Sequence, residues 1–122
     1  MAVIHIIEND TSVRQALVRL MTSEKLPVQA YASGQDFVTT ARPGESDCVV
    51  ADADAADLSG LDLLRQLHEH NVTAPLILLT RDDNAETRAK ARQLGAAGYL
   101  LKPVDGQALL DTIRFALDRT GS

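Results

Sequence analysis

The sequence has little of several features that mark particular protein classes. Its 122 residues include one cysteine, no tryptophan, four prolines and seven glycines. A lone cysteine cannot form an internal disulfide, and so few prolines and glycines exclude collagen-like and low-complexity chains. Cys48 opens an apolar run, which favours a buried structural thiol over a reactive one. The composition indicates an ordinary globular domain.

An excess of basic charge and a long apolar segment are also missing. Lysine and arginine total 12 against 17 acidic residues, and they are scattered along the chain. A stripe of positive charge that could neutralise nucleic-acid phosphates is therefore not expected. Apolar runs such as 76–79 are far shorter than the roughly 20 residues of a membrane helix, and the chain opens without a leader pattern. We expect a cytoplasmic domain that contacts neither nucleic acid nor membrane directly.

The sequence does contain a regular alternation of aliphatic runs and amphipathic stretches. Five runs of strand type lie at 3–7, 28–32, 48–52, 76–80 and 98–101, each followed by a stretch of helical period. This order predicts βαβ units and a parallel sheet in one α/β domain over residues 1–122. The first, third and fourth runs are nearly all apolar and should be central, whereas Gln29 and Tyr31 mark the second as an edge.

Capping and breaking residues predict where the helices begin and end. The predicted starts are 10–12, Ser33, Asn84 and Asp105, and the predicted stops are Pro27, Pro43, Asn71 and Gly95. The third helix should bury Leu61, Leu64 and Leu67, and the fourth should turn its alanines inward. The fifth should bury Leu109, Leu110, Ile113 and Leu117.

Polar side chains are concentrated where the predicted strands end. They are Glu8, Asn9 and Asp10 after the first strand, Asp52 at the end of the third with Asp54 beyond it, Thr80 at the end of the fourth and Lys102 after the fifth. Parallel sheets with helical crossovers bind ligands outside the carboxyl ends of their strands. We therefore expect these side chains to share one crevice.

Acids held close together repel, so one of them must take up a proton or the group must bind a cation. Magnesium accepts one or two carboxylates and completes its shell with water and phosphate oxygens. That chemistry suits phosphoryl transfer, with Asp52 as a nucleophile that forms an acyl phosphate. The added charge would be held by a metal at Glu8 and Asn9, by the Lys102 ammonium and by the Thr80 hydroxyl.

Five segments at these positions closely resemble the receiver domains of response regulators. They are 6–10 (IIEND), 49–52 (VVAD), 58–60 (LSG), 78–80 (LLT) and 98–103 (GYLLKP). The resemblance covers essentially the whole chain. It implies the doubly wound, CheY-like architecture of a five-stranded parallel sheet in the order 2-1-3-4-5 with five helices.

The resemblance also implies a function in two-component signalling. A histidine kinase or phosphotransfer protein would phosphorylate Asp52 in a magnesium-dependent reaction, and the chain would act as a switch rather than as an enzyme. The metal ligands would be Glu8, Asn9, Asp52 and the backbone carbonyl of Asp54. Thr80 and Tyr99 would move together and change the surface of the fourth helix, fifth strand and fifth helix.

Three further features follow from the same resemblance. The Lys102–Pro103 bond is expected to be cis, since X-Pro is where cis peptide bonds cost least. A C-terminal output domain, DNA-binding in some family members, is expected in a longer protein. Phosphorylation is expected to favour a homodimer.

The sequence departs from the family pattern at three places. Asn9 stands where a second acid is usual, which should weaken magnesium binding by about 1–2 kcal/mol at an effective dielectric constant of about 20, unless Asp10 or Asp54 compensates. Arg81 replaces a small residue and would either hinder phosphate donors or steady the phosphate. The loop 53–57 lacks the usual methionine and proline.

These departures leave alternatives open. The first is a pseudo-receiver that binds partners without being phosphorylated. The second, a flavin-binding electron carrier of the same architecture, lacks the loop rich in serine, threonine and glycine expected after the first strand. Tyr99 is equally well read as an ordinary half-buried aromatic. His5 lies inside an apolar strand and is interpreted as a core histidine whose nitrogens have partners.

Overall fold

The computed structural model describes residues 2–44, 46–54 and 57–121, with side chains up to residue 118. Ala55 and Ala56 of the unusual loop lie outside the described residues. Strands and helices alternate strictly through the described chain, as the sequence predicted. The strands are β1 (Ile4–Ile7), β2 (Val28–Tyr31), β3 (Cys48–Asp52), β4 (Leu76–Thr80) and β5 (Gly98–Leu101). The helices are α1 (Thr11–Ser23), α2 (Gly34–Thr40), α3 (Gly60–Glu69), α4 (Ala85–Gln93) and α5 (Gly106–Gly121).

All five strands pair in parallel, in the order β2-β1-β3-β4-β5. This confirms the predicted sheet and its order. β1, β3 and β4 are buried along their whole length, whereas β2 alternates half-buried and exposed residues at the edge. The order reverses between β1 and β3, which opens a crevice outside their carboxyl ends.

Helices cover both faces of the sheet. Alternate strand residues point to opposite faces, so Ile6 and Val50 pack with α1 and α5, while Ile7 and Ala51 pack with α2, α3 and α4. Each fully buried leucine or isoleucine stabilises the fold by about 1.5–3 kcal/mol relative to exposure. The sheet therefore holds its strand ends rigidly between two apolar layers.

The predicted capping residues are in place. Asp10, Ser33 and Asn84 each accept a hydrogen bond from a backbone N–H in the first turn of α1, α2 and α4. Asn71 follows α3 with φ 59°, and Gly95 follows α4 with φ 85°. This left-handed conformation suits glycine and asparagine, and it ends both helices where the sequence predicted.

Three details of helix packing differ from the prediction. The buried face of α3 consists of Gly60, Leu63, Leu64 and Leu67, and Leu61 is only half-buried. A spacing of three residues drifts around a helix, whereas steps of three and four stay on one face. In α4 the single buried alanine is Ala91, and in α5 the side chain of Leu117 is half-buried.

Among the described helices, none is long and apolar enough to cross a membrane.

Candidate functional site

The strand register brings two acids together at the carboxyl edge of the sheet. Ile7 is level with Ala51, so Glu8, which follows β1, lies next to Asp52 at the end of β3. Glu8 is 1% exposed and Asp52 is 6% exposed. Two carboxylates this deeply buried need a compensating positive charge.

Lys102 supplies that charge from the end of β5. Its Nζ lies 2.5 Å from Glu8 Oε1 and 3.5 Å from Asp52 Oδ2, and its side chain is 8% exposed. The predicted convergence of these three residues is confirmed, as is the cis bond between Lys102 and Pro103. One ammonium shared by two carboxylates leaves the group with one net negative charge.

Backbone donors and an arginine fix the two acids in place. The N–H of Asp10 donates to Glu8 Oε2 over 3.2 Å, and the N–H of Asp54 donates to Asp52 Oδ1 over 2.9 Å. Arg14 Nη1 donates to the Glu8 carbonyl over 2.8 Å. Each carboxylate thus contacts both Lys102 and a backbone N–H. These contacts fix the orientation of the carboxylate oxygens in the site.

Thr80 is 2% exposed, and its hydroxyl faces the carboxylate of Asp54. The Thr80 Oγ1 to Asp54 Oδ2 distance is 3.3 Å, and the Arg81 N–H donates to the same Oδ2 over 3.1 Å. The sequence predicted that the Asp54 side chain lies at this crevice and that its backbone carbonyl is a metal ligand, but not its contacts with Thr80 and Arg81. These contacts carried no sequence signal, because they depend on how residues 53 and 54 lie against the end of β4.

Tyr99 and Thr80 meet through a shared acceptor. The Tyr99 hydroxyl donates to the Asp82 carbonyl over 3.4 Å, and Thr80 Oγ1 lies 3.3 Å from the same oxygen. The guanidinium of Arg88 lies 5.3 Å from the centre of the Tyr99 ring, within cation–π range. Neither the Asp82 carbonyl nor Arg88 was predicted at this site from the sequence.

The site offers two carboxylates, a number that suits magnesium. Among the described residues, no group of three or more His, Cys, Asp or Glu side chains is arranged to hold a metal ion. Glu8 and Asp52 nevertheless offer two hard carboxylates, and magnesium is commonly held by one or two, together with waters. The exposed Asn9 amide and the Asp54 carbonyl are the neighbouring oxygen donors.

Asp10 and Asp54 could in principle replace the negative charge that is missing at Asn9, but their carboxylates make other contacts. Asp10 Oδ1 caps α1 by accepting from the Val13 N–H, and the Asp54 carboxylate accepts from Arg81. The weaker metal affinity expected from Asn9 stays a prediction.

Gly60 lets the segment after Asp52 lie close to α3. A Cβ at position 60 would lie 2.3 Å from Leu78 Cδ2 and 2.9 Å from the Ala53 Cα. The N–H of Ala53 also donates to the Leu79 carbonyl over 2.7 Å. The backbone that carries Asp52 is therefore fixed between β4 and the start of α3.

An apolar groove of about 750 Å³ adjoins Lys102. Its walls are the α1 side chains of Val13, Leu17 and Leu20, the residues Pro103 and Val104 after β5, and Arg81. A partner seated in this groove would lie beside Lys102, whose ammonium contacts Glu8 and Asp52.

A second, partly buried polar cluster lies at the amino ends of the strands. His5 Nε2 is 3.0 Å from Asp47 Oδ2, and His5 Nδ1 is 3.0 Å from the Tyr31 hydroxyl. Asp47 also accepts hydrogen bonds from the N–H groups of Val3 and Gly44, over 3.0 and 3.1 Å. The interpretation of His5 as a core histidine with partnered nitrogens is confirmed.

The pKa values of Asp47 and of the adjacent Cys48 are both shifted from their usual values. Burial alone would raise the pKa of Asp47, but hydrogen bonds from Val3, His5 and Gly44 outweigh it and hold that pKa below its usual value. Burial, and then the charge of Asp47, raises the pKa of the neighbouring Cys48 thiol to about 12. Cys48 is fully buried, as its place in the sequence predicted.

Comparison with known proteins gives concordant results. A sequence model of the family described as response regulator receiver domain matches residues 4–114. The transcriptional regulatory protein FixJ of Azorhizobium caulinodans is 32% identical over 117 residues, which are 96% of this chain and 56% of FixJ. Nodulation protein W of Bradyrhizobium diazoefficiens is 32% identical over 97% of this chain and 52% of its own length. The chain thus spans about half the length of these curated relatives.

Solved structures share the fold over nearly the whole chain. The response regulator StyR superposes with a TM-score of 0.91 at 28% identity, covering 98% of this chain and 61% of StyR. A response regulator receiver domain protein from Clostridium thermocellum has a TM-score of 0.85 at 26% identity, covering 98% of this chain and 96% of its own.

Proposed function

This chain belongs to the response regulator receiver family, and from that premise we propose that it accepts a phosphoryl group on Asp52 from a histidine kinase or a phosphotransfer protein. It acts as a signalling switch rather than as an enzyme. The observation that carries the proposal is the buried Asp52 carboxylate at the carboxyl end of a central strand, 3.5 Å from the Lys102 ammonium. A buried acid in that position costs folding free energy, and a chemical role would explain why it is there.

The proposed reaction forms an acyl phosphate. An oxygen of the Asp52 carboxylate bonds to phosphorus while the phosphorus–nitrogen bond of the donor histidine breaks, and the leaving imidazole takes up a proton. Lys102 stabilises the phosphoryl oxygens, and its attraction to Glu8 keeps it at the site. Thr80 contributes a hydroxyl donor from the neighbouring strand.

Magnesium is the proposed cofactor. Glu8, Asn9, Asp52 and the backbone carbonyl of Asp54 would hold it, and when bound it would neutralise phosphoryl charge. Glu8 would then serve both this cation and Lys102, and Asp52 would supply the second carboxylate charge.

The proposed output is a change in the α4-β5-α5 surface through Thr80 and Tyr99. Both hydroxyls lie within hydrogen-bonding distance of the Asp82 carbonyl. A phosphoryl group that draws Thr80 toward Asp52 leaves that carbonyl to Tyr99 alone. Leu101, 44% exposed on β5, lies on the same surface and would be covered or uncovered by a partner.

The phosphoryl donor is proposed to dock in the groove between α1 and the segment after β5. This groove is lined mainly by apolar side chains and adjoins Lys102. A Val13→Glu substitution should impair transfer from a phosphorylated donor protein while leaving labelling by acetyl phosphate unchanged, because a small donor needs no groove. Equal loss with both donors would contradict this assignment.

The full-length protein is proposed to carry an output domain. FixJ, named as a transcriptional regulatory protein, is nearly twice as long as the matched region. A DNA-binding output domain and a phosphorylation-dependent homodimer are proposed on this basis, with this acidic segment making no nucleic-acid contact itself. A cytoplasmic location stays a prediction.

Acetyl phosphate labelling tests the proposal. The protein is incubated with acetyl phosphate with and without magnesium, and mass spectrometry detects a base-labile phosphoryl adduct. We expect a magnesium-dependent adduct that is lost in Asp52→Ala and kept in Asp57→Asn, a matched removal of charge from the same loop. An adduct retained in Asp52→Ala would show that another residue is the acceptor.

The pseudo-receiver is the second candidate. Asn9 in place of an acid, and Lys102 lying nearer to Glu8 than to Asp52, are the observations that favour it. No adduct, together with no binding of beryllofluoride in the presence of magnesium, would favour this candidate over the first.

A further inference from the structure

The Asp54 side chain makes contacts that an anion on Asp52 would also need. Its Oδ2 accepts the Arg81 N–H over 3.1 Å and lies 3.3 Å from the Thr80 hydroxyl. These two donors come from the end of β4, where Leu79 is level with Asp52. Two convergent donors that hold a carboxylate are equally suited to hold phosphoryl oxygens, which are also anionic acceptors.

Asp54 is also tied to the phosphorylation site by its backbone. Its N–H donates to Asp52 Oδ1 over 2.9 Å, so its position follows that of the Asp52 carboxylate. Its side chain then turns back to the end of β4, so one residue spans the gap between Asp52 and its neighbouring donors.

We propose that Asp54 is an internal competitor of the phosphoryl group: its carboxylate occupies the Thr80 and Arg81 donors and must leave them before an anion on Asp52 can use them. The inference rests on the proposed function, since it concerns the same site. It gives Asp54 a positioning role that opposes phosphorylation and holds Thr80 in its resting place.

Occupancy and charge both support this role. Thr80 has one hydroxyl proton, and a carboxylate acceptor binds it more strongly than the neutral Asp82 carbonyl at the same 3.3 Å distance. An incoming phosphate donor also meets the Asp54 charge in addition to the net negative charge of Glu8, Asp52 and Lys102. Removing the Asp54 carboxylate should therefore release both donors and lower the repulsion.

The first part of the test needs neither metal nor phosphate. In ¹⁵N-labelled, metal-free protein, the Arg81 amide proton should resonate downfield because it donates to a carboxylate. Asp54→Ala should move this resonance upfield, and Asp57→Asn should leave it in place. An Arg81 resonance that is identical in wild type and Asp54→Ala overturns the inference.

The second part measures beryllofluoride affinity in the presence of magnesium. Asp54→Ala should bind about tenfold more tightly than wild type, the effect of one hydrogen bond to a charged group, and Asp54→Asn should fall between the two. Asp57→Asn should match wild type, which separates the contact from the loss of one charge in the loop.

The outcomes separate the inference from the proposed function. Equal or weaker binding by Asp54→Ala, with clear binding by wild type, overturns the inference and leaves the proposed function standing. Failure of all variants to bind overturns both, because release of the donors was expected to permit binding. Tighter binding by Asp54→Ala together with the Arg81 shift supports both.

Discussion

The two polar clusters at opposite ends of the sheet both contain acids but hold them differently. At the amino ends, Asp47 pairs with His5 and also accepts two backbone N–H groups. At the carboxyl ends, Glu8 and Asp52 share the single ammonium of Lys102. The first cluster holds one acid with three hydrogen-bond partners, whereas the second holds two neighbouring acids with one ammonium.

This difference separates a structural hydrogen-bonded cluster from a reactive site. No buried side-chain nitrogen or oxygen among the described residues lacks a hydrogen-bond partner, so hydrogen bonding alone does not distinguish the clusters. The number of neighbouring acids does. Two carboxylates side by side repel each other, so the carboxyl-end cluster can gain from an incoming cation or from conversion of one carboxylate to an ester. A single carboxylate that already accepts several hydrogen bonds has less to gain.

The largest expected effect comes from breaking the amino-end cluster. Asp47→Ala should lower the free energy of unfolding by about 3 kcal/mol, because it leaves His5 and two backbone N–H groups without their acceptor. Urea denaturation measures this loss, and labelling by acetyl phosphate below the transition should persist. The exposed Asp62, paired with Arg65, is the control, and its replacement by alanine should cost less than about 1 kcal/mol. Equal losses for both variants would remove the distinction.

The carboxyl-end cluster should respond in the opposite direction. Asp52→Asn removes one of two neighbouring carboxylates and leaves Glu8 paired with Lys102, so we expect the free energy of unfolding to rise by about 1 kcal/mol. The same variant should lose all phosphoryl labelling. A marked loss of stability in urea would instead mean that Asp52 is held as firmly by its partners as Asp47.

Acid should weaken the amino-end cluster by a smaller amount. The pKa of Asp47 is lower in the folded protein than in the unfolded chain, so its contribution is complete above the unfolded value and is lost as the pH falls through the folded one. We expect the free energy of unfolding to decline as the pH falls below about 5. In Asp47→Asn this decline should be shallower, and an unchanged slope would assign it to other carboxyl groups.

The smallest effect is expected at Cys48, beside Asp47. Its pKa is raised to about 12 in the folded state, so its stabilising contribution is present at neutral pH and is lost as the pH rises from about 9. Folded protein should also react slowly with a thiol reagent at pH 8 and rapidly in urea. Rapid reaction without urea would show that the thiol is reached by local opening.

The sequence was most informative where periodicity and chain topology determine structure. Apolar runs located all five strands, with β1 and β2 each one residue shorter than predicted. Strand ends identified Glu8, Asp52, Thr80 and Lys102, because parallel strands deliver their carboxyl ends to one edge. Capping chemistry located Asp10, Ser33 and Asn84, since it depends on neighbours within the same turn.

Contacts between distant loops could not be predicted. The Asp54 carboxylate contacts Thr80 and Arg81 because residues 53 and 54 lie against the end of β4. No local sequence pattern encodes this placement. Likewise, Leu61, Leu64 and Leu67 were predicted to be buried, and the structure buries Leu63 in place of Leu61, with Gly60 packed closely against Ala53. Such choices depend on the packing of several elements at once.

The glycine at the start of α3 has a consequence for how this sequence can change over generations. Position 60 touches no proposed ligand, yet any side chain there would press on Ala53, directly after the phosphoacceptor. It would also meet the buried Leu78 side chain, and the Ala53 backbone cannot move without taking Asp52 with it. Substitutions at position 60 would therefore be selected against through their effect on Asp52, although Gly60 itself takes no part in the chemistry. The constraint on this position is steric.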